Sequence, residues 1–416
     1  MENVKRYGEM KDSGVEWIGE IPKHWEVIRL KRLCSSITDG AHFSPETAYQ
    51  GFPYITATDI HGKGLDYANA KCISESDFLS LQAQGCQPQR GDVLLVKDGA
   101  TTGRVGLMTD DTPCVMLSSV AMLRHSADTH DVYLMYLLMS EIIQAQIRLS
   151  MAGAAMPRTT LTKLVKYLGI KCPLPEQQAI ASYLDDKCSA IDDIIASSRA
   201  SIDDYKQLKA STIYEAVTKG LNPDVEMKDS GVEWIGEIPD SWSILKYKYL
   251  LEIHSGDGII NSELSDEGSY PVFGGGDIIG YYSKSNVQQN CILIGRVGAR
   301  CGCVTITNCP SWATDNALII NTNCCVKYIY YLLVSSNLNE INSSNAQPLI
   351  TGTKIKNFSI PYTSKTEEQQ AIASYLDARC GEIDALIAEK EALIADLEAY
   401  KKSLIFECVT GKQRVA

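Results

Sequence analysis

Between Glu176 and Lys219, and again between Glu368 and Val409, apolar residues recur three and four positions apart with charged residues around them. Leu184, Cys188, Ile191, Ile195, Ile202 and Tyr205 form the first seam. Leu376, Cys380, Ile383, Ile387, Ile394 and Leu397 form the second, each 192 positions after its partner. Neither Pro nor, Gly381 apart, Gly interrupts them, and Pro173, Pro175 and Pro361 punctuate their starts. Seams this sustained are a coiled-coil signature and predict two helices of roughly 60 Å, at about 1.5 Å per residue. Such stripes are buried only on each other or on a partner, so the helices are expected to serve as a rigid spacer.

Elsewhere the pattern is mixed α/β. Short runs such as "DVLLVK" (Asp92 to Lys97), "CVMLSSVAMLR" (Cys114 to Arg124) and "CILIGRV" (Cys291 to Val297) read as strands bounded by Gly and Asp turns. "DVYLMYLLMSEIIQAQI" (Asp131 to Ile147) and "VKYIYYLLVSS" (Val326 to Ser336) have helical spacing.

The whole chain is written twice. "MKDSGVEWIGEIP" runs from Met10 to Pro22 and again from Met227 to Pro239, with Trp25 matched by Trp242. "EQQAIASYLD" occurs at Glu176 to Asp185 and at Glu368 to Asp377, and "IYEAVTKG" at Ile213 answers "IFECVTGK" at Ile405. The offset is 217 for the opening segment and 192 for the helices, so the second middle region is 25 residues shorter. Between the fixed edges, similarity shrinks to "DVLLVKDGATTGRVG" (Asp92 to Gly106) against "CILIGRVGARCGCVT" (Cys291 to Thr305). The expected organisation is a pseudo-two-fold internal repeat: a domain over 1–172, a helical spacer over 173–220, a second domain over 221–363 and a second spacer over 364–416. A duplicated domain with a freely drifting middle is the plainer alternative, but drift does not explain edges that stay identical. One scaffold carrying two different readers does.

Composition is that of an ordinary globular protein, 45% hydrophobic and 22% charged over 416 residues. No apolar run approaches the roughly 20 residues of a membrane span, and the polar N-terminus lacks a signal-peptide stretch, so a cytoplasmic location is expected. The 14 cysteines mostly stand alone in apolar patterns. The cluster Cys301, Cys303, Cys309, Cys324 and Cys325 lacks the paired spacing of a zinc site, and no metal is expected. A net charge of −12 counts against a nucleic-acid partner. Its distribution reverses that reading. Ile147 to Lys171 holds Arg148, Arg158, Lys163, Lys166 and Lys171 without one acid, and Ile278 to Thr314 holds Lys284, Arg296 and Arg300, again without one. The acids gather in Glu176 to Asp204 and Glu367 to Glu398.

Catalytic signatures are missing. No Pro-Pro-Tyr or Pro-Pro-Phe follows an Asn or acid, as an amino-methyltransferase needs, and no ATP-binding G-x-x-x-x-G-K-[ST] loop is present. "FGGGD" (Phe273 to Asp277) is a lone glycine run without a counterpart in the first half.

The G-V-E-W-I-G-E-I-P-x-x-W segment, the turn "V-x-x-G-A-x-x-G" (Val96 to Gly103, with Val297 to Gly302 in the shorter copy) and the helix start E-Q-Q-x-I-x-x-Y-L-D, with Pro175 directly before it in the first copy, resemble the specificity subunit of type I restriction-modification systems. The second copy departs in "PYTSKTEEQQAI", where Pro361 stands well ahead of the glutamates. The resemblance implies two target-recognition domains held apart by two helices packed as an antiparallel coiled coil, each domain reading one half of a split, asymmetric DNA site. It implies a non-catalytic chain that binds no cofactor itself. Its partners would be double-stranded DNA, two modification subunits that methylate adenine with S-adenosylmethionine, and two restriction subunits using ATP and magnesium. A two-domain adaptor that binds protein without reading DNA is the competing expectation, favoured by the acidic balance and opposed by the acid-free stretches.

Base readout needs bidentate donors and acceptors on loops, and phosphate contacts need cations without competing acids. These filters select Lys97, Thr101, Thr102 and Arg104 in the first glycine turn, with Arg158, Thr159, Thr160 and Lys163 after Pro157. In the second domain they select Arg296 and Arg300, then Thr351, Lys354 and Lys356 after Pro348. Thr38, Asp39 and His42 on the "TDGAHF" turn are further candidates. The opening segment is identical in both copies and so cannot discriminate between half-sites. Trp17, Trp25, Trp234 and Trp242 are therefore expected to anchor each domain to the scaffold or to a partner.

Overall fold

The structure, a computed structural model, describes residues 6–151, 157–341 and 348–415. The chain divides into two compact units, Met1–Ser197 with Ala392–Ala416, and Ser198–Glu391.

The first unit holds helices α1 (Glu75–Ala83), α2 (Asp131–Met139), α3 (Glu141–Met151) and α4 (Leu161–Leu164), and the start of α5 (Leu174–Lys219). The second holds α6 (Val326–Ser335), α7 (Gly352–Lys356) and the start of α8 (Thr366–Thr410). The helical run read from Asp131 to Ile147 is two helices, because Ser140 takes an extended backbone between them. Its hydroxyl donates to the carbonyl of Leu137 at 2.6 Å and so closes the end of α2.

A central sheet organises each unit. In the first its five strands run in the order Cys34–Asp39, Val120–His125, Val93–Val96, Val105–Leu107, Gly62–Lys63. In the second its four strands run Leu251–Ser255, Ala317–Thr322, Ile292–Gly295, Val304–Ile306. Val93–Val96 and Ile292–Gly295 are apolar and buried at every position because both faces of the sheet are covered there. Val93 and Leu95 join Leu134 and Leu137 of α2 in the main core, while Leu94 and Val96 join Ile55 and Met116 in a smaller one. In the second unit Ile292 and Ile294 face α6, and Leu293 faces Phe273 and Ala313 of a three-stranded side sheet.

The identical edges make several matching bonds. The opening segment is a hairpin, Met10–Asp12 antiparallel to Glu20–Pro22, repeated as Met227–Asp229 with Glu237–Pro239. Gly19 and Gly236 take left-handed conformations (φ +72 and +70) that L side chains rarely adopt, so glycine is required there. Trp25 and Trp242 are buried, and each indole Nε1 donates to a helix-start glutamate, Glu176 or Glu368, at 3.1 Å. Gln177 and Gln369 accept the first backbone N–H groups of α2 and α6, from His130 at 2.8 Å and Cys325 at 3.3 Å. Asp185 and Asp377 accept from Tyr136 and Tyr331, both at 2.9 Å. Each of these fixed residues thus meets a partner at the matched position of its own unit, a constraint both copies share. Trp17 is 47% exposed and Trp234 is half-buried against Phe358, at 5.2 Å between ring centroids.

Each unit also pairs the beginning of one long helix with the end of the other, antiparallel. In the first unit Lys401 meets Asp192 at 2.6 Å and Gln413 meets Tyr183 at 2.9 Å. Leu404, Ile405, Cys408 and Val409 share its main core with Ile191 and Ile195. In the second, Lys209 meets Asp384 at 2.7 Å, and Ile213, Ala216 and Val217 share a core with Ile372, Ala373, Leu376 and Cys380. Of the seam residues, Leu184, Ile191, Ile195, Ile202, Leu376 and Ile383 are buried, and Ile387 and Ile394 half-buried. Among the described residues no helix is long and apolar enough to cross a membrane.

Glu176, at the start of α5, takes hydrogen bonds from Tyr7 before the hairpin and from His24 and Trp25 after it. Burial raises its pKa, but hydrogen bonds from Tyr7 (2.7 Å), His24 (2.7 Å) and Trp25, with the His24 charge, outweigh that and hold it below the ordinary 4.5. A depressed folded-state value stabilises the fold above the unfolded pKa, and that contribution is lost as pH falls through the folded value. The first unit is therefore expected to lose denaturant resistance as pH falls through 4.5 and below it. The Glu176→Gln variant should start weaker and lose less over that range.

Candidate nucleic-acid interface

Three segments converge at one end of each central sheet. In the first unit they are the end of the edge strand (Thr38 to His42), the glycine loop after Val96, and the chain after Pro157. Gly99 N donates to Pro157 O at 3.0 Å and Thr159 N to Lys97 O at 2.8 Å, so the last two form a short ladder in which Asp98 faces Arg158. The Thr102 hydroxyl locks the turn by donating to Gly99 O at 2.7 Å and Pro157 O at 3.1 Å. Thr160 then caps α4, accepting from Lys163 N at 3.3 Å.

The second unit repeats this frame with other side chains. Ile350 N donates to Arg296 O at 3.0 Å and Gly298 N to Pro348 O at 3.3 Å, and Val297 faces Leu349. Thr351 caps α7 through Lys354 N at 3.4 Å. The loop is closed alike in both: Gly103 N reaches Val96 O and Gly302 N reaches Gly295 O, each at 2.8 Å.

Exposure sorts the candidates. Thr38, His42, Arg158, Lys163 and Arg300 are exposed. Asp39, Thr101, Thr102, Arg104, Thr160, Arg296, Thr351, Lys354 and Lys356 are half-buried. Lys97 and Thr159, expected on the loop surface, are only 3% and 0% exposed. Lys97 turns inward because two carboxylates neutralise it, Asp98 at 2.8 Å and Asp39 at 3.4 Å. Thr159 turns inward onto the Tyr167 hydroxyl at 2.6 Å. Arg158 Nε lies 2.8 Å from Asp98, and His42 Nε2 lies 3.3 Å from Asp39, so the first rim interleaves cations with carboxylates.

At the second rim Arg296 Nη1 donates to Ser255 Oγ at 3.3 Å and Arg300 Nε to Asp277 at 2.6 Å. Ser255 thus stands to Arg296 as Asp39 stands to Lys97, and exposed His254 stands where Thr38 does. The filters missed both residues. The signal was the glycine that follows each strand, since Gly40 and Gly256 bond the matched carbonyls of Val120 and Ala317. Among the described residues no group of His, Cys, Asp and Glu could hold a metal ion.

Two domains with one frame and one foot, but unlike donors, acceptors and charges at the rim, define a class: a chain that reads two different sequences with a duplicated module. The sequence model described as "Type I restriction modification DNA specificity domain" matches residues 22–204 and 239–396, and the chain belongs to that family of type I restriction-modification specificity subunits. It is 24% identical over 448 aligned residues to the type I restriction enzyme MjaVIII specificity subunit of Methanocaldococcus jannaschii, covering 95% of this chain and 94% of the relative. Over 110 residues, 26% of this chain and 27% of the relative, it is 32% identical to the EcoprrI specificity subunit of Escherichia coli. Its fold is similar to a chain in a structure of a type I R-M system solved for complex assembly and conformational transition. The TM-score is 0.66 and the identity 18%, over 94% of this chain and 99% of that one.

Proposed function

We propose that the chain is the non-catalytic reader at the centre of a complex with two modification subunits and, in the full assembly, two restriction subunits. S-adenosylmethionine, ATP and magnesium would be used by those partners. Each domain reads one half of a split DNA site and so directs which adenines are methylated. The observation that carries this reading is the matched frame with unmatched side chains: Asp98 opposite Arg158 in one ladder, Val297 opposite Leu349 in the other. A protein adaptor would need no such contrast at equivalent positions.

The test is duplex binding by the chain co-purified with its modification subunit, titrated with salt. A steep fall of affinity with rising salt supports a DNA reader, and no duplex binding in any such complex overturns it. Lys163→Ala, at a position where the second unit also carries a lysine, Lys354, is expected to lower the slope of log affinity against log salt by about 0.9, the value of one phosphate contact. It should weaken all sequences alike, measured with matched and scrambled duplexes.

A further inference from the structure

A polar groove of about 250 Å³ lies on the first unit's central sheet, on the face away from α2. Ser36 and Thr38 of the edge strand and Arg124 and Met122 of its neighbour form the floor, with Ser36 opposite Arg124 and Thr38 opposite Met122. Gln82 of α1, with Gln87 and Gln89 just after it, forms the wall. Thr38 also belongs to the rim already described, so groove and rim are continuous.

We infer that this groove reads base edges of the first half-site, through Arg124 and the three glutamines. The inference rests on the DNA-reading function proposed above and adds a second contact region to it.

The groove is built rather than incidental. Asp92 is 1% exposed and takes Arg124 Nε and Nη2, both at 2.8 Å, while also accepting the Gln89 backbone N–H at 2.8 Å. The Arg124 side chain remains 39% exposed. A buried carboxylate thus fixes the plane of a guanidinium, whose three other N–H donors have no partner among the described residues. The Gln82 amide donates to Gln87 Oε1 at 2.5 Å, which orients both and leaves an acceptor on one and a donor on the other. The Gln89 carboxamide is exposed and has no hydrogen-bond partner among the described residues.

The chemistry selects the occupant. The Arg124 and Asp92 charges cancel, so the groove offers phosphate no net attraction. It offers neutral donor and acceptor pairs, which suit base edges: glutamine pairs bidentately with adenine, arginine with guanine. The second unit has other chemistry at the same register, with Glu252 opposite Asn321 and His254 opposite Ile319. It also has no α-helix between Phe273 and Ile292 to stand where α1 stands. A region that differs this completely between two otherwise matched domains is where unlike half-sites would be told apart.

The test uses the full chain in complex with its modification subunits, carrying Gln89→Ala, Gln87→Ala or Arg124→Lys. Methylated adenines are mapped in cellular DNA, and competing duplexes with single base changes are titrated. The expected result is a loss of discrimination of about tenfold or more at one or two positions of one half-site, with the other half unchanged. Unchanged discrimination in all three variants overturns the inference, and so does an equal loss in both halves. The Gln89 side chain is exposed, so its variant reports on reading even if Arg124→Lys fails to fold. Failure of the DNA-reading function itself is distinguishable, because the unsubstituted complex would then bind no duplex.

Discussion

Exchanging residues 26 to 170 for the equivalent stretch of another family member is expected to change one half of the recognised sequence and leave the other half as it was. The geometry at the cut points makes this exchange practicable. Glu26–Arg29 pairs antiparallel with Leu168–Lys171, with Val27 opposite Ile170, so the first reader leaves and rejoins the scaffold at adjacent points. Ser243–Lys246 pairs with Ser359–Tyr362 in the same way, with Ser243 opposite Tyr362. The exchanged piece carries the whole rim and all of its own ladder but Lys171, the partner of Glu26. The Trp25 anchor, Glu176, Gln177 and Asp185 stay behind. Mapping methylated adenines in cells carrying the exchanged chain gives the answer directly. A change in both half-sites would refute the modular reading.

The second large effect concerns the foot. Trp25→Ala is expected to destabilise the first unit by about 3–5 kcal/mol, the usual range for removing a buried aromatic side chain. The indole is fully buried, its Nε1 is bonded to Glu176, and a Cβ built on Gly411 would lie 3.0 Å from its ring. Truncation therefore opens a cavity between the hairpin and the end of α8 and removes a donor from a carboxylate that has little water. Trp242→Ala should do the same to the second unit, where the ring packs near Gly220 and bonds Glu368. Hydrogen exchange resolved by segment is the appropriate measurement. Protection should fall mainly in the unit that carries the substitution. Trp17→Ala, at an exposed ring, should leave stability within about 0.5 kcal/mol. A loss of complex formation in that variant would place Trp17 on a partner surface.

Much of this was legible in the sequence because it is local or repeated. The two seams, the identical edges and the unlike middles follow from periodicity and self-comparison. The glycine turn and the segment after proline were visible as separate clusters. Their pairing was not, because Asp98 and Arg158 are 60 positions apart and the ladder between them has no pattern of its own. The inward turn of Lys97 was hidden for a related reason. One neutralising acid is its neighbour, but the other, Asp39, lies on a different strand. His254 and Ser255 escaped because the length difference between the middles obscures which strands correspond. The glutamine groove depends on where α1 comes to rest beside a sheet edge, and nothing in the α1 sequence specifies that neighbour.

The division of the long helices has a consequence for biosynthesis. The second unit occupies one continuous stretch, Ser198–Glu391, whereas the first needs Ala392–Ala416 in addition to everything before Ser198. On the ribosome, the reader made first is therefore completed last. Until the final turns emerge, Ile191 and Ile195 lack Leu404, Ile405, Cys408 and Val409, and Asp192 lacks Lys401. A nascent chain stalled or cleaved near Glu391 would hold a finished second reader and an open first one, so half of the recognition sequence depends on residues translated after the second reader is complete.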